Sequence, residues 1–454
     1  MSQGKEFSEI LEPEKEEAMN QELDRQAQEA MEQEFNTPEA VNVGVETEFP
    51  VWTEKGEPVD EETRNELVEN VENVDMELGA TQVEIGTDPI IGLDSIAEIE
   101  EEIRKAEIPL REAAEQKGVV LGRFGTNPTV SLDNIQRSDK EKYILVPDVY
   151  HELRNENVQE VFGRNETIDP RNEGLPAVLT STQLNIQADN LDDAVDKANL
   201  GYAVAPYITA LSGNSRILDG KDLGFDDVRM QLWEKSFDIR ENWDEEIDVG
   251  KMESYIQDFE DYVERIREQP RILNDEPYHE AALDIGQGMF WKDSRIKVME
   301  DGELSDNVLV EMRQNSTQPS PAEDAAVHAF YIGRITYAQR EDEELPDIEK
   351  VNRNRYTAMH NGLDEKMYNW DGELVEAEKA VAEELGKARK GLEYAGVDDP
   401  GYLDILEDRL ANSMTPSEEM MEHYMEAMES GLEGRKAAAR AAEIMNTDYQ
   451  DRSF

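Results

Sequence analysis

Acidic side chains outnumber basic ones by more than two to one, and this imbalance limits what the chain can fold into. The 454 residues include 106 Asp and Glu against 45 Lys and Arg, a formal net charge of −61. With only 38% hydrophobic residues, the chain is either disordered or a fold adapted to very high salt. Most of the sequence shows periodic apolar patterning, which favours the salt-adapted fold. In molar salt the screening length falls to about 3 Å, and a charge of this size becomes tolerable.

The charge also argues against several classes of partner. A nucleic-acid surface needs Lys and Arg to displace counterions, so we expect neither nucleic-acid nor anionic-membrane binding. No apolar run approaches the roughly 20 residues that span a bilayer. The sequence begins without a basic segment followed by an apolar run, so we expect no signal peptide and a cytoplasmic location.

The residue types present restrict the chemistry further. The chain has no Cys, which excludes disulfides, thiolate nucleophiles and thiolate metal sites. Its five His residues show no paired metal spacing. A metal site must therefore use carboxylates and amides, which are the ligands of hard ions such as Mg²⁺ or Mn²⁺.

Three regions of different texture follow one another. Residues 1–40 are acidic and Gln-rich, and form either a solvated, flexible extension or a helix docked on the main domain. Residues 41–345 mix strand-like with helical segments, and residues 346–454 read as helices only, packed on that domain. Strands and helices do not alternate strictly, so the sequence predicts an α+β fold.

Helix starts are well marked. Helical patterns begin near Asp94 and Asn190. Two further starts, at 320–323 and 415–418, carry a capping-box pattern with Pro at the first helical position.

Four segments alternate apolar and polar residues with the period of a half-buried strand: 41–49, 81–89, 179–188 and 307–315. Because side chains alternate between the two faces of a strand, each segment has one polar face. Those faces carry Glu46 and Glu48, then Gln82 and Glu84, then Gln183, Asn185 and Gln187, and finally Glu311 and Arg313. If the strands form one sheet, helices can cover its apolar side and leave a concave, acid-lined surface.

The polar faces allow two interpretations. In a protein this acidic, Glu is the expected residue on any solvated sheet face. The amides and the Glu-x-Arg pair at 311–313 are less expected there. Converging carboxylates hold divalent cations, and an Arg among them suits an anionic substrate group. The combination indicates a site for a magnesium-bound nucleotide.

These segments resemble, in order, the motifs of the glutamate–cysteine ligase type 2 family of carboxylate–amine ligases. VGVETEF at 43–49 is similar to the strand G-x-E-x-E-F, and ELGATQVEIGTDP at 77–89 to E-L-x-x-x-Q-V-E-x-x-T-x-P. Later motifs are matched by RFGTNP at 123–128, LTSTQLNIQA at 179–188, the segment 210–233, and the pair FWKDSRIKV and NVLVEMRQN. The resemblance runs from about 43 to 330.

The resemblance implies both a fold and a reaction. Residues 41–345 would form a glutamine-synthetase-like catalytic domain, in which a curved antiparallel sheet makes a funnel closed by helices. The reaction would be ATP-dependent: the γ-carboxylate of glutamate takes the γ-phosphoryl group of ATP, and an amine then attacks the acyl phosphate. The amine would be that of cysteine, with another amino acid or amine as the alternative. A non-catalytic binding relative of the same fold is a further alternative.

The same resemblance assigns roles residue by residue. The implied ligands of Mg²⁺ or Mn²⁺ are Glu46, Glu48, Glu77, Glu84 and Glu311. Positions near ATP and its metal are Gln82, Gln183 and Asn185. The cations near a substrate carboxylate or phosphate are Arg229, Arg295 and Arg313.

Some positions depart from the family pattern. Asn127 stands where His is common, and Arg216 replaces the usual Pro. Met residues recur at helical spacing between 420 and 428, which predicts a packing stripe or a homodimer interface. The sequence does not fix the amine.

Overall fold

An antiparallel sheet of seven strands organises the fold. The structure, a computed structural model, describes residues 13–138, 146–147, 150, 153, 161–172, 174–239, 249–269, 281–300 and 302–448. Its strands are β1 (Val43–Thr53), β2 (Val74–Met76), β3 (Gln82–Gly86), β4 (Val119–Leu121), β5 (Thr182–Ala188), β6 (Ile217–Leu218), β7 (Lys221–Asp222), β8 (Ser294–Glu300), β9 (Glu303–Met312), β10 (Lys366–Tyr368) and β11 (Leu374–Glu376). The main sheet has the order β2-β3-β1-β5-β9-β8, and β4 pairs with the end of β1. The strand pairs β6–β7 and β10–β11 lie outside it.

The described residues also form thirteen α-helices. They are α1 (Pro13–Glu32), α2 (Glu61–Asn70), α3 (Ile96–Gln116), α4 (Leu191–Ser212), α5 (Arg229–Ser236), α6 (Phe259–Glu268), α7 (Ala282–Met289), α8 (Pro321–Glu341), α9 (Ile348–Asn361), α10 (Ala377–Ala395), α11 (Tyr402–Asn412), α12 (Pro416–Glu429) and α13 (Arg435–Asp448). The predicted α+β class, with a curved antiparallel sheet covered by helices, is confirmed.

The predicted helix starts are found with their caps. Ser95 and Glu98 form a capping box at α3, and Asn190 caps α4 through the backbone N–H of Asp193. Ser320 and Thr415 cap α8 and α12, each followed by Pro. Because these caps satisfy N–H groups that the first helical turn leaves unpaired, they fix where each helix begins.

The apolar face of the sheet is covered by helices that are themselves buried. Helix α4 crosses β8 and β9 and is buried along almost its whole length after Ala194. Helix α8 packs against α4, α3 and α10. One continuous hydrophobic cluster extends from Met19 to Leu406 and includes residues of all three predicted regions.

Helix α1 is docked on this body. Its residues Met19 and Leu23 are fully buried, and the side chain of Gln26 accepts a hydrogen bond from the backbone N–H of Leu283 at 2.8 Å. Beyond the helix, the backbone N–H of Asn36 donates to the carbonyl of Asp306 at 2.9 Å. The helix therefore joins the start of the chain to α7 and β9.

Helices α8 and α10 cross at two glycines. A Cβ atom built on Gly391 would lie 1.6 Å from the carbonyl oxygen of Gly333. One built on Gly333 would lie 2.1 Å from the carbonyl oxygen of Ala388. The two backbones are in contact here, and only glycine allows this separation.

The C-terminal part differs from the sequence prediction in one respect. The expectation of helices only after residue 346 was wrong, because β10 and β11 form a hairpin there. Its turn contains Asp371-Gly372, and Gly372 has φ +79°, which is a hairpin signal within the sequence. In the methionine stripe, Met420 and Tyr424 are buried in a cluster with alanines of α13, whereas Met425 is exposed. Among the described residues, no helix has the length and apolarity needed to cross a membrane.

Candidate active site

The polar face of the sheet collects the side chains that the alternating pattern predicted. Across neighbouring strands, Glu48 lies opposite Glu84, and Glu46 lies opposite Gln183. On the other side of β5, Glu311 of β9 lies opposite Asn185 of β5 and opposite Arg295 of β8. Of these side chains, Glu46, Glu48, Glu84, Gln183 and Arg295 border a cleft of about 570 Å³. The sheet thereby aligns acids on β1 and β3 with basic residues at its β8 and β9 edge.

Three carboxylates converge at the β1–β3 end of the cleft. Glu48, Glu77 and Glu84 each place an oxygen within 4.8 Å of the others, and we call this group the carboxylate triad. The amide of Gln183 donates to Glu48 Oε1 at 3.0 Å, and the backbone N–H of Ser181 donates to Glu48 Oε2 at 2.7 Å. Neither Glu46 nor Glu311 belongs to this group.

The environment of the triad disfavours three negative charges, and this raises the pKa of two of its carboxylates. Burial, followed by repulsion from Glu77, raises the pKa of Glu48 to about 8. Burial and repulsion from Glu77, Glu46 and Glu48 also raise the pKa of Glu84 well above its ordinary value. A bound divalent cation would relieve this repulsion, so the geometry and chemistry of the triad fit a hard metal ion.

The opposite end of the cleft is cationic. Glu311 is fully buried, and its Oε2 lies 2.6 Å from Arg295 Nε and 3.5 Å from Arg313 Nε. Burial alone would raise the pKa of Glu311, but Arg295, Lys297 and Arg313 hold it well below its ordinary value. Glu311 is thus ionised and surrounded by basic side chains.

Arg229 is the first residue of α5 and borders the cleft. Its Nη2 donates to the carbonyls of Arg313 and Gln314 at 2.6 and 2.5 Å. The hydroxyl of Ser215 accepts from the backbone N–H of Arg229 at 3.1 Å and fixes the first turn of α5. Within the described part of the chain, Arg229 Nε and Arg313 Nη1 are buried without a hydrogen-bond partner. Two arginines of the cleft therefore keep donors available for an anion.

Gln82 has a different environment from the other amides. Its Oε1 accepts from the backbone N–H of Gly79 at 3.0 Å, and its Nε2 donates to the carbonyl of Leu179. It borders the cleft, but its amide is used to join two backbone segments. Asn185 instead donates to Glu46 Oε1 at 3.1 Å.

Sequence reasoning missed the apolar wall of the cleft. Trp233 and Trp291 pack edge to face with their ring centroids 5.3 Å apart, and Met230 and Met289 lie beside them. Trp291 precedes β8 and Trp233 belongs to α5, so their meeting depends on tertiary packing. The matched segment 210–233 and the W-K-D-S-R segment contain these residues, but neither indicated that they meet.

Buried ion pairs fix the elements that carry the site arginines. Arg355 of α9 is fully buried and pairs with both Glu234 of α5 and Asp293. The carbonyl of Asp293 accepts from the backbone N–H of Arg313 at 3.0 Å. Removing either carboxylate would take away one of the two partners of the buried Arg355 charge, so the network is costly to disturb.

A curved antiparallel sheet, with a carboxylate triad and unpartnered arginine donors in one cleft, is the arrangement that the resemblance to carboxylate–amine ligases predicts. The sequence profile described as glutamate–cysteine ligase family 2 matches residues 42–442 of this chain. The chain therefore belongs to glutamate–cysteine ligase family 2. The family predicted from six ordered motifs is confirmed.

Individual relatives agree with the family. The chain is 26% identical over 274 residues to the chloroplastic glutamate–cysteine ligase of Medicago truncatula. The aligned region covers 54% of this chain and 50% of that protein. The match thus spans half the length of that relative.

Solved structures show the same fold. The glutamate–cysteine ligase of Francisella tularensis in complex with AMP superposes with a TM-score of 0.59 at 13% identity, covering 92% of this chain and 90% of that one. A bifunctional glutathione synthetase from Pasteurella multocida gives 0.55 at 12% identity, covering 91% of this chain and 53% of that one. The predicted glutamine-synthetase-like fold class is confirmed.

Proposed function

We propose that this protein is an ATP- and Mg²⁺-dependent ligase that joins the γ-carboxylate of glutamate to the amine of cysteine. Family membership supports the class of reaction. The observation that carries the proposal is the pairing, in one cleft, of the carboxylate triad with the unpartnered donors of Arg229 and Arg313. A metal-bound polyphosphate needs both features, because phosphoryl transfer depends on positioning and charge neutralisation.

Glu48, Glu77 and Glu84 would hold Mg²⁺. Their oxygens converge, and the raised pKa values of Glu48 and Glu84 indicate that the group is short of positive charge. When bound, the ion would neutralise phosphate oxygens of ATP. Gln183 and Ser181 hold Glu48 in place through the two hydrogen bonds to its carboxylate.

The reaction has two steps. An oxygen of the glutamate γ-carboxylate bonds to the γ-phosphorus of ATP while the bond to the β-phosphate oxygen breaks and ADP leaves. The amine nitrogen then bonds to the acyl carbon, inorganic phosphate leaves and the nitrogen loses a proton. Arg229 and Arg313 would stabilise charge on the transferred group. The wall of Trp233 and Trp291 would limit the access of water, which would otherwise hydrolyse the acyl phosphate.

The test is phosphate release from ATP with Mg²⁺ in molar KCl, with glutamate and each candidate amine added singly and together. We expect release that requires both glutamate and cysteine, and formation of the dipeptide measured by mass spectrometry. Glu84→Gln should lower release about 100-fold, whereas Glu39→Gln, which changes an exposed acid before β1, should not.

The possible outcomes distinguish the identity of the amine from the catalytic assignment itself. Release with glutamate and a different amine would keep the chemistry and replace cysteine as the substrate. No release with any pair, from protein that remains folded by circular dichroism, would overturn the catalytic assignment and favour a binding relative of the same fold.

A further inference from the structure

Lys297 of β8 extends into a second group of oxygens on the polar face of the sheet. Its Nζ lies 3.4 Å from Glu46 Oε1, 3.3 Å from Asn185 Oδ1 and 3.4 Å from Glu311 Oε1. These three oxygens come from β1, β5 and β9, and we call them the three-strand oxygen cluster. One ammonium therefore joins four strands.

The ammonium fits this cluster. A lysine ammonium carries three N–H donors, and the cluster offers three acceptors. Asn185 is oriented for this contact, because its Nδ2 donates to Glu46 Oε1 at 3.1 Å and leaves its Oδ1 for Lys297. Lys297 also shares its face of β8 with Arg295, two residues earlier.

The two oxygen groups of the cleft differ in their balance of charge. The triad brings three carboxylates together, and burial with mutual repulsion raises the pKa of two of them. The three-strand oxygen cluster has two carboxylates, Glu46 and Glu311, and Glu311 already contacts Lys297, Arg295 and Arg313. A Mg²⁺ or Mn²⁺ ion between its oxygens would need ligand distances near 2.1 Å, and it would meet the lysine charge at contact distance.

We propose that the ammonium of Lys297 is the resident cation of the three-strand oxygen cluster, although the family resemblance implies that Glu46 and Glu311 are metal ligands. Divalent cations then bind at the triad alone. Lys297 is a positioning residue for Glu46 and Asn185. Its covalently attached ammonium supplies the positive charge that a bound metal ion would otherwise supply.

The inference rests on the proposed metal site at the triad. Binding of Mn²⁺ alone, without nucleotide or amino acid, tests the triad site and the role of Lys297 separately. Crystals of the full chain are soaked in Mn²⁺, and anomalous scattering locates the ions. Bound Mn²⁺ per chain is counted in solution by electron paramagnetic resonance. The variants are Lys297→Met, Lys297→Met with Glu311→Gln, and Lys292→Met. Lys292 is the matched control, because it is a lysine that borders the cleft while its Nζ donates to the carbonyl of Lys251 at 2.8 Å and not to the three-strand oxygen cluster.

In the wild-type protein we expect Mn²⁺ at the triad and none between Glu46, Asn185 and Glu311. Lys297→Met should gain one equivalent of Mn²⁺, located at the three-strand oxygen cluster. The double variant should lose that equivalent, and Lys292→Met should bind as the wild type does. Wild-type Mn²⁺ at both positions, or no gain in Lys297→Met, would overturn the proposal for Lys297 while leaving the metal site at the triad intact. Mn²⁺ at neither position would overturn the proposed metal site itself.

Discussion

Glu48 and Glu84 lie directly opposite each other on the antiparallel strands β1 and β3. Like charges at such positions destabilise a sheet, and here a third carboxylate, Glu77, lies beside them. The arrangement lowers the stability of the metal-free protein. The cation proposed between the three carboxylates would relieve this repulsion.

Activity and stability should therefore respond in opposite directions to Glu84→Gln. Loss of one carboxylate should weaken metal binding and lower turnover by about 100-fold, since even indirect partners of a metal contribute 10- to 100-fold. The same change removes repulsion and should raise the free energy of unfolding of the metal-free protein by about 1 kcal/mol. Coupled phosphate release and urea denaturation in molar KCl measure the two effects. Turnover equal to that of the wild type would exclude Glu84 from the metal site.

The metal-free protein should lose stability as the pH rises from about 4.5 to about 8. Glu48 has an ordinary pKa of 4.5 and a folded-state pKa of about 8, so the folded chain holds this proton more tightly than the unfolded chain. The resulting stabilisation is complete below about pH 4.5 and is lost as the pH rises through 8. Thermal midpoints in EDTA are compared for the wild type and Glu48→Gln. The difference between them should change across this window, and an unchanged difference would contradict the raised pKa.

The close crossing of α8 and α10 predicts that alanine is tolerated at one glycine of α10 and destabilises the protein at another. Gly391→Ala places a methyl group 1.6 Å from the carbonyl oxygen of Gly333, so the helices must separate, at a cost of about 3 kcal/mol. Gly386→Ala in the same helix has no atom within 4 Å of the new methyl group. It should be neutral, or stabilising by up to about 1 kcal/mol. Equal effects in urea denaturation would show that the backbones do not touch at this crossing.

Dilution from molar to millimolar KCl should lower the thermal midpoint. With a net charge of −61, repulsion between carboxylates is unscreened at low salt. A variant with Gln at three exposed acids of α3, namely Glu101, Glu112 and Glu115, should lose less on dilution than the wild type. A midpoint that does not fall in the wild type would refute the interpretation of the charge as salt adaptation.

The sequence was most informative where structure is periodic. The alternation in 43–49 and 183–187 placed Glu46, Glu48, Gln183 and Asn185 on one face, and β1 and β5 carry them there. Helix caps such as Ser95 and Ser320 were readable because they are local hydrogen-bonding patterns.

Cross-strand relationships were harder to predict. Arg295 and Lys297 share one face of β8, but only the register with β9 and β5 places the ammonium of Lys297 against Glu46. Similarly, Trp233 of α5 and Trp291, which precedes β8, meet only through tertiary packing, and no spacing in the sequence encodes that contact. The turn at Asp371-Gly372 was readable but was overlooked within a helical region.

The division of the polar face into an acidic end and a basic end has a directional consequence. Negative side chains on β3 and β1 face positive ones on β8 and at Arg313, just after β9, so the electric field runs across the strands, parallel to the floor of the cleft. A bound molecule with separated charges has lower energy in one orientation than in the reverse one. The sheet can therefore set the polarity of a zwitterionic amino acid or a metal–phosphate complex before any individual hydrogen bond forms.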